Sequence, residues 1–308
     1  MSVQKSVLVV CLNPTFQMTM VYPTIRKNEV NRTANYFISP SGKGVNVARV
    51  LTQLGRRAKV LTHVGGNRIE EFRIMCAAEH IALCDFLEVS PIRTCTTLVD
   101  EGDHTSTEMV EEPKPVSSLA SGKAMDLFRK EIPNHQALVI TGTKAKGYDE
   151  ELYPMMVAEA RKQGKLIVLD LKGEDLKRAL PYQPTVIKPN LSELVSTFSE
   201  GLFVSEQKEN RNFLPFVEEK SKEFFARYRT CLVVSRGKYP SWVFNGEKLV
   251  EIPGDKIMRP VVNTIGCGDA LTAGMTHRLL DGDTLEDSVR YGMHCALKNA
   301  MSFRHGLG

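Results

Sequence analysis

The chain has no long apolar run, no closely paired cysteines and no strong excess of one charge, and each absence narrows what it can be. The apolar stretch Ser6–Leu12 is too short for a membrane span or the core of a secretory signal, and it ends at Asn13-Pro14 as a first buried strand would. The seven cysteines (Cys11, Cys76, Cys84, Cys95, Cys231, Cys267, Cys295) are odd in number, widely spaced and without a Cys-x-x-Cys pair. That excludes a disulfide framework and a structural zinc site, and the expectation is reduced thiols in a cytoplasmic protein with no membrane partner. A formal charge of +4, with Lys and Arg scattered, leaves no electrostatic footprint of a nucleic-acid binder. Small anions remain as ligands. A Walker A loop, internal repeats and low-complexity segments are all missing.

What is present is a globular composition, 42% hydrophobic and 25% charged over 308 residues, enough for one large α/β domain or two smaller ones. Short apolar runs alternate with amphipathic segments, the pattern of a sheet covered on both faces. Strands are expected near 6–11, 58–64, 137–142, 165–170, 184–188 and 230–235. Helices are expected near 44–55, 68–80, 117–131, 149–163, 191–198, 213–228, 268–280 and 284–303. Residues 28–39 and 93–111, rich in Thr, Val and alternating polar residues, break the rhythm and read as antiparallel strands of a small β lid. The polar stretch 199–212 reads as a surface insertion.

Val262–Gly274 is the most informative segment. Gly266 and Gly268 permit backbone angles that turn successive N–H groups toward one point. The helix expected to follow adds free N–H groups and its positive dipole end, making an anion site suited to a transferring phosphoryl group. Asp269 then stands where it can take a proton from an attacking hydroxyl. The plainer alternative is a glycine turn with an acidic residue in the first helical turn. Cys267, at the same helix start, is either a thiol of lowered pKa or a small residue packed inward.

Three other motifs carry chemistry. Ser41-Gly-Lys-Gly-Val-Asn-Val47 follows a strand and opens a helix, bringing backbone N–H groups, the Lys43 ammonium and the Asn46 amide to a ligand. It matches a dinucleotide fingerprint poorly, since the third glycine and the ribose-binding acid are missing. In Lys188-Pro-Asn-Leu-Ser-Glu193, Asn190 and Glu193 fit a helix capping box, and the same two side chains can hold the water shell of Mg²⁺ on nucleotide phosphates. Val233-Val-Ser-Arg-Gly237 closes a buried strand with a Ser-x-Gly turn that can contact a nucleotide.

Together with Glu29–Arg32 and Arg93-Thr94, these motifs occur in the order and spacing of the PfkB (ribokinase-like) carbohydrate kinases, which the chain resembles along nearly its whole length. The resemblance is strongest to the branch containing 1-phosphofructokinase and tagatose-6-phosphate kinase, through Glu29–Arg32, Arg93-Thr94, Leu169-Asp170 and Gly173-Glu174. It implies a ribokinase-like three-layer α/β/α sandwich, a single kinase domain over 1–308 with lid segments at about 13–40 and 92–112. The implied activity is transfer of the γ-phosphoryl group of ATP, with Mg²⁺, to a hydroxyl of a phosphorylated hexose. By the same resemblance Asp269 is the base, and Gly266, Cys267 and Gly268 form the anion hole. Gln17, Gly42, Lys43, Asn46, Arg93 and Thr141 face the sugar phosphate. Lys188, Asn190, Ser235, Gly237, Thr264 and Asn299 serve the nucleotide, with Asn190 and Glu193 on the metal through water. Relatives often pair through the lid, so a homodimer is left open.

The departures from the family pattern concentrate on the acceptor side. Gln17 replaces an aspartate that holds sugar hydroxyls, Ser41 replaces a glycine, and Thr141–Gly147 replaces Ser-Gly-Ser-Leu-Pro-Pro-Gly. On the transfer side only Cys267, in place of alanine, is unusual. The expectation is a working kinase with a changed acceptor. A nucleoside or non-phosphorylated sugar kinase of the same fold, and a non-catalytic sugar-phosphate sensor, are the alternatives. Lys43, Arg93, Lys144 and Lys146 speak against the first and Asp269 against the second.

Overall fold

The computed structural model describes residues 5–204, 208–255 and 261–302. Its larger sheet is built on β1 (Ser6–Val10), β4 (Arg57–Gly65), β5 (Ala82–Glu88), β8 (Ala137–Thr141), β9 (Leu166–Asp170), β10 (Val186–Ile187) and β11 (Cys231–Arg236), all parallel. Two antiparallel strands, β12 (Tyr239–Phe244) and β13 (Leu249–Ile252), extend one edge. Among the described residues the order across the sheet is β13-β12-β11-β10-β9-β8-β1-β4-β5.

Along its central strands both faces of this sheet are dry, which explains the continuous apolar runs in the sequence. Successive side chains point to opposite faces. Leu8, Leu138, Ile140, Ile167, Leu169 and Leu232 accordingly join one core cluster, and Val7, Val9, Val139, Val168 and Val233 the other. The first cluster is closed by α3 (Ala120–Glu131), α4 (Leu152–Lys162), α5 (Gly173–Ala179), α6 (Leu191–Phe198) and α7 (Leu214–Tyr228). The second is closed by α1 (Lys43–Gln53), α2 (Ile69–Ala78), α8 (Cys267–Asp281) and α9 (Leu285–Ala300). The three expected layers are therefore present. α8 and α9 meet at a glycine notch: a Cβ on Gly274 would lie 2.8 Å from the Gly292 Cα, and one on Gly292 would lie 2.5 Å from the Leu271 carbonyl oxygen. Such distances admit hydrogen only, so any larger residue forces the helices apart.

The small sheet has the order β3-β2-β6-β7, formed by β2 (Thr15–Tyr22), β3 (Tyr36–Ser41), β6 (Arg93–Asp100) and β7 (Thr105–Val110). This corrects the expected strand at 28–39. The strands flank an irregular stretch that contains Pro23 and the left-handed Asn28 (φ 63°), neither of which suits a regular strand. It also corrects an all-antiparallel lid, because β2 and β6 pair in parallel, Thr15 opposite Arg93 and Gln17 opposite Cys95. Phe16, on the other face of β2, is fully buried edge-on against Phe72 of α2, with the Arg68 guanidinium 3.8 Å from its ring centre. The small sheet is thus pinned at one end, while β7 is exposed along its length.

The expected helices are present within a few residues, α9 ending at Ala300 where 284–303 was expected; residue 303 lies outside the described residues. Residues 199–204 and 208–212 are largely exposed, as a surface insertion should be, and 205–207 lie outside the described residues. No helix among the described residues is long and apolar enough to cross a membrane.

Candidate active site

The carboxyl ends of the parallel strands converge on one cavity, as open α/β sheets place ligands. Cys11 follows β1, Thr141 ends β8, Asp170 ends β9, Lys188 follows β10 and Ser235 lies near the end of β11, and all five line a cavity of about 750 Å³. The fourth side is the small sheet. Strand alternation puts Thr15 and Gln17 of β2, Arg93 and Cys95 of β6, and Glu108 and Val110 of β7 on one face, and these line the same cavity.

The floor is the turn before α8. Gly266 has φ 80°, a left-handed conformation that glycine adopts without strain, and it lets the chain enter the helix at Cys267. The turn is tied from behind: Ile265 N–H donates to Asn263 Oδ1 at 3.0 Å, and the Asn299 amide donates to the Ile265 carbonyl at 2.8 Å. Cys267 N–H turns back to the Thr264 carbonyl at 3.3 Å. The N–H groups of Gly268 and Asp269 lie in the first turn, where a helix provides no intrahelical acceptors. Gly266, Gly268 and Asp269 all line the cavity.

Two carboxylates share this space in different states. Asp269 is 5% exposed, and burial raises its carboxyl to about 6 against the pull of Lys43, with Asp170 adding to the rise. The Asn46 amide holds one of its oxygens, Nδ2 to Oδ2, at 2.9 Å. Burial also works to raise Asp170, but Lys188 and Lys43 outweigh it and hold the group below the ordinary carboxylate range. Asp170 Oδ2 lies 3.4 Å from Lys188 Nζ and accepts from Thr141 and Thr272, each at 3.3 Å. Lys43 is pushed upward chiefly by Asp170, against burial and with help from Glu193, whose Oε1 is 3.7 Å away. The site therefore holds one permanently ionised acid, a fixed pair of cations, and one acid poised near neutrality. Such a separation makes Asp269 the carboxyl of the two that can exchange a proton near neutral pH.

The expected acceptor residues Gln17, Gly42, Lys43, Asn46, Arg93 and Thr141 all line this cavity. Gln17 is buried, its amide donating to Thr97 Oγ1 at 2.9 Å. Arg93 Nη1 donates to the Glu111 carbonyl at 3.0 Å, while its Nε is buried with no hydrogen-bond partner. Thr141 lines the cavity with its hydroxyl donating to Asp170 at 3.3 Å. Lys144 is not solvated surface charge: it pairs with Asp175 and lies 5.1 Å from the Tyr153 ring centre. Lys146 is exposed at the rim.

A second cavity of about 650 Å³ lies on the other side of the turn, lined by Ser235, Gly237, Thr264, Cys267, Leu271 and Met293 among others. The two cavities share Asn190, Ser235 and Gly268. At this junction Asn190 and Glu193 form the complete capping box: Glu193 N–H donates to Asn190 Oδ1 at 2.7 Å and Asn190 N–H to Glu193 Oε2 at 3.0 Å. Asn299 does not line either cavity; it supports the turn from behind, and its amide reaches Cys267 Sγ at 3.4 Å. Burial, the largest influence on the Cys267 thiol, raises its pKa and outweighs the Asn299 donation. A lowered pKa at this position is therefore corrected: burial and the neighbouring Asp269 raise the thiol against the Asn299 donation.

The model of the pfkB family carbohydrate kinases matches residues 9–301. This chain belongs to that family. The PfkB kinase is thus a phosphotransferase with an alcohol group as acceptor, and kinases of this family use ATP. Its fold is similar to that of phosphofructokinase-2 from Escherichia coli, with a TM-score of 0.83 at 21% identity, covering 98% of this chain and 95% of that one. A structure described as a possible 1-phosphofructokinase from Thermotoga maritima gives 0.84 at 21% identity, covering 98% and 94%. Ribokinase from Thermotoga maritima gives 0.73 at 15% identity, covering 98% and 95%.

Asp170, Thr272, Asp175 and Arg49 are cavity and support residues to which the sequence motifs assign no role, and Ser41 is marked there only as a departure on the acceptor side. Asp170 was within reach, since a carboxylate ending a buried parallel strand stands on the ligand-binding edge of the sheet. Thr272 and Asp175 gain their contacts only through the fold, whereas Arg49 and Ser41 meet Asn46 within a few residues and reach Asp269 through it.

Proposed function

We propose that this PfkB kinase transfers the γ-phosphoryl group of ATP to a hydroxyl of a phosphorylated hexose. The observation that carries this reading is the junction of the two cavities at Asn190, Ser235 and Gly268, with Asp269 just inside the larger one. The nucleotide occupies the smaller cavity, against Gly237 and Thr264, with its phosphates over the start of α8. The acceptor occupies the larger one, its hydroxyl at Asp269. Asp269 takes the hydroxyl proton as the oxygen attacks, and the first-turn N–H groups with Lys43 and Lys188 stabilise charge on the transferring group.

The donors at the junction suit Mg²⁺. Asn190 and Glu193 present oxygens that already cap α6, so they fit an ion held through water better than a direct cage. Bound there, the ion would neutralise phosphate charge; the protein groups do the positioning. Arg93 and the exposed Lys146 are placed for the acceptor's phosphate, which favours a sugar phosphate over a nucleoside. Gln17 sets the hydroxyl pattern. Exposed Tyr36 and Met109 on the small sheet support pairing of two copies through this lid.

A panel of hexose phosphates, free hexoses and nucleosides scored by ADP release tests the reading. Turnover of a phosphorylated hexose with Mg²⁺, and little of its unphosphorylated form, is expected. Preference for a nucleoside or a free sugar overturns it.

A further inference from the structure

We propose that Arg49 positions the phosphoryl-transfer base, acting through Asn46, and that Ser41 is the second support of the same amide. The proposal rests on the kinase reading only in calling Asp269 the base; the contacts stand apart from it.

Asn46 and Arg49 lie three residues apart on α1, so their side chains emerge on neighbouring turns of one face. The Asn46 carbonyl oxygen accepts from Arg49 Nη1 at 2.8 Å and from Ser41 Oγ at 3.0 Å. A guanidinium has donors only, so the oxygen end of this amide must face Arg49. Its NH₂ end must then face the other way, where Nδ2 meets Asp269 Oδ2 at 2.9 Å. One N–H is thereby committed to the carboxylate, and Oδ1 of Asp269 is left as the oxygen for a substrate proton. Arg49 is itself held, by Glu79 at the end of α2 and by the Pro40 carbonyl. Asn46, Arg49 and Asp269 are each about 5% exposed or less, so losing a partner in this network costs more than it would at the surface.

Asn46 was expected to face the sugar phosphate; here its acceptor capacity is filled by protein and one donor is given to the base. Ser41, which stands where the family pattern has glycine, gains a role by the same contact. The other groups acting on Asp269 are Lys43 from α1, Asp170 from β9 and Lys188 after β10, with the Cys11 thiol after β1 nearby. Changing Arg49 also releases Glu79 and the Pro40 carbonyl, so Ser41→Ala, which removes a second donor from the same amide oxygen, is read beside it.

In the full-length enzyme, Arg49→Met should lower kcat by roughly 10–100-fold while KM for ATP stays within about threefold, because the base is misplaced and the nucleotide cavity is intact. Arg49→Lys, which keeps one N–H for the amide oxygen, should recover most of the loss. Ser41→Ala should lower kcat by about threefold in the same pattern. The acid limb of kcat should move to higher pH in Arg49→Met, since a loosened amide no longer favours the ionised carboxylate. A loss of activity that follows only the folded fraction, with an unmoved limb and no rescue by Lys, overturns the proposal. A double-mutant cycle in thermal denaturation, pairing Arg49→Met with Asp269→Asn, needs no catalysis and separates this idea from the kinase reading. If Arg49→Met does not fold, Ser41→Ala replaces it in the cycle. Non-additive shifts in Tm support the network, and additive shifts overturn it.

Discussion

The two walls of the acceptor cavity are built on opposite plans. On the large-sheet side the charges at the centre of the cavity already have protein partners: Asp170 has Lys188 and two threonines, Lys43 has Glu193, Lys144 has Asp175, and Asp269 has Asn46. On the small-sheet side Arg93 keeps a buried, unpartnered Nε, while the Gln17 amide donates to the Thr97 hydroxyl at 2.9 Å and to the Met18 carbonyl at 3.4 Å, both within the small sheet. A wall whose dipoles and charges are fixed before substrate arrives is suited to lowering a barrier, since nothing need reorganise during the reaction. A wall with unmet donors is suited to selection, because only a ligand that satisfies them binds well.

This contrast predicts where kinetic damage should fall. Asp269→Asn strikes the prearranged wall and should lower kcat by at least ~10²-fold with KM for ATP nearly unchanged, read by steady-state kinetics. The same change should stabilise the fold near pH 8. Because burial raises the carboxyl above its unfolded value, to about 6, the folded state favours the protonated form; stability present below about pH 4 is lost as pH rises through 6, and the amide avoids that loss. A Tm gain that shrinks toward pH 4 is the expected signature. The wild-type kcat/KM for the acceptor should fall on the acid side with a midpoint near 6, and a flat profile down to pH 5 would remove Asp269 from the base role.

Arg93→Lys strikes the selecting wall. A point charge replaces a two-pronged donor, so KM for the sugar phosphate should rise about tenfold and KM for ATP should not. Equal effects on both would erase the distinction between the walls. Gln17→Asp should shift the acceptor preference toward fructose 1-phosphate or tagatose 6-phosphate by a few-fold, measured as relative kcat/KM, since a carboxylate accepts two hydroxyl protons where the amide accepts one. The smallest effect is expected at Cys267. With its thiol raised by burial, Cys267→Ala should change kcat less than about threefold, and iodoacetamide should label it no faster than the other cysteines.

The same division governs what the sequence reveals. Strands such as Val7–Val10 and Val139-Ile140 are legible because burial on both faces demands unbroken apolar runs. β5 interrupts its run with Asp85, β12 carries Pro240, and α5 is too short to show a period, so edge elements escape. Within the site, Asp269, Lys188, Asn190 and Glu193 are legible because each sits in a local motif. Thr272 meets Asp170 across 102 residues and Asn46 meets Asp269 across 223, and only the finished topology brings them together.

The glycine notch between α8 and α9 has a consequence for the life of the chain before it is finished. α9 is made after Asp269, so a nascent chain that has emerged as far as Asp281 carries every residue of the junction, the whole large sheet and the α1 face on which α8 also packs, yet lacks the glycine-notched partner that closes α8. Chemistry should therefore switch on late and abruptly during synthesis. A half-made kinase that has already gained most of its core has no means to waste nucleotide.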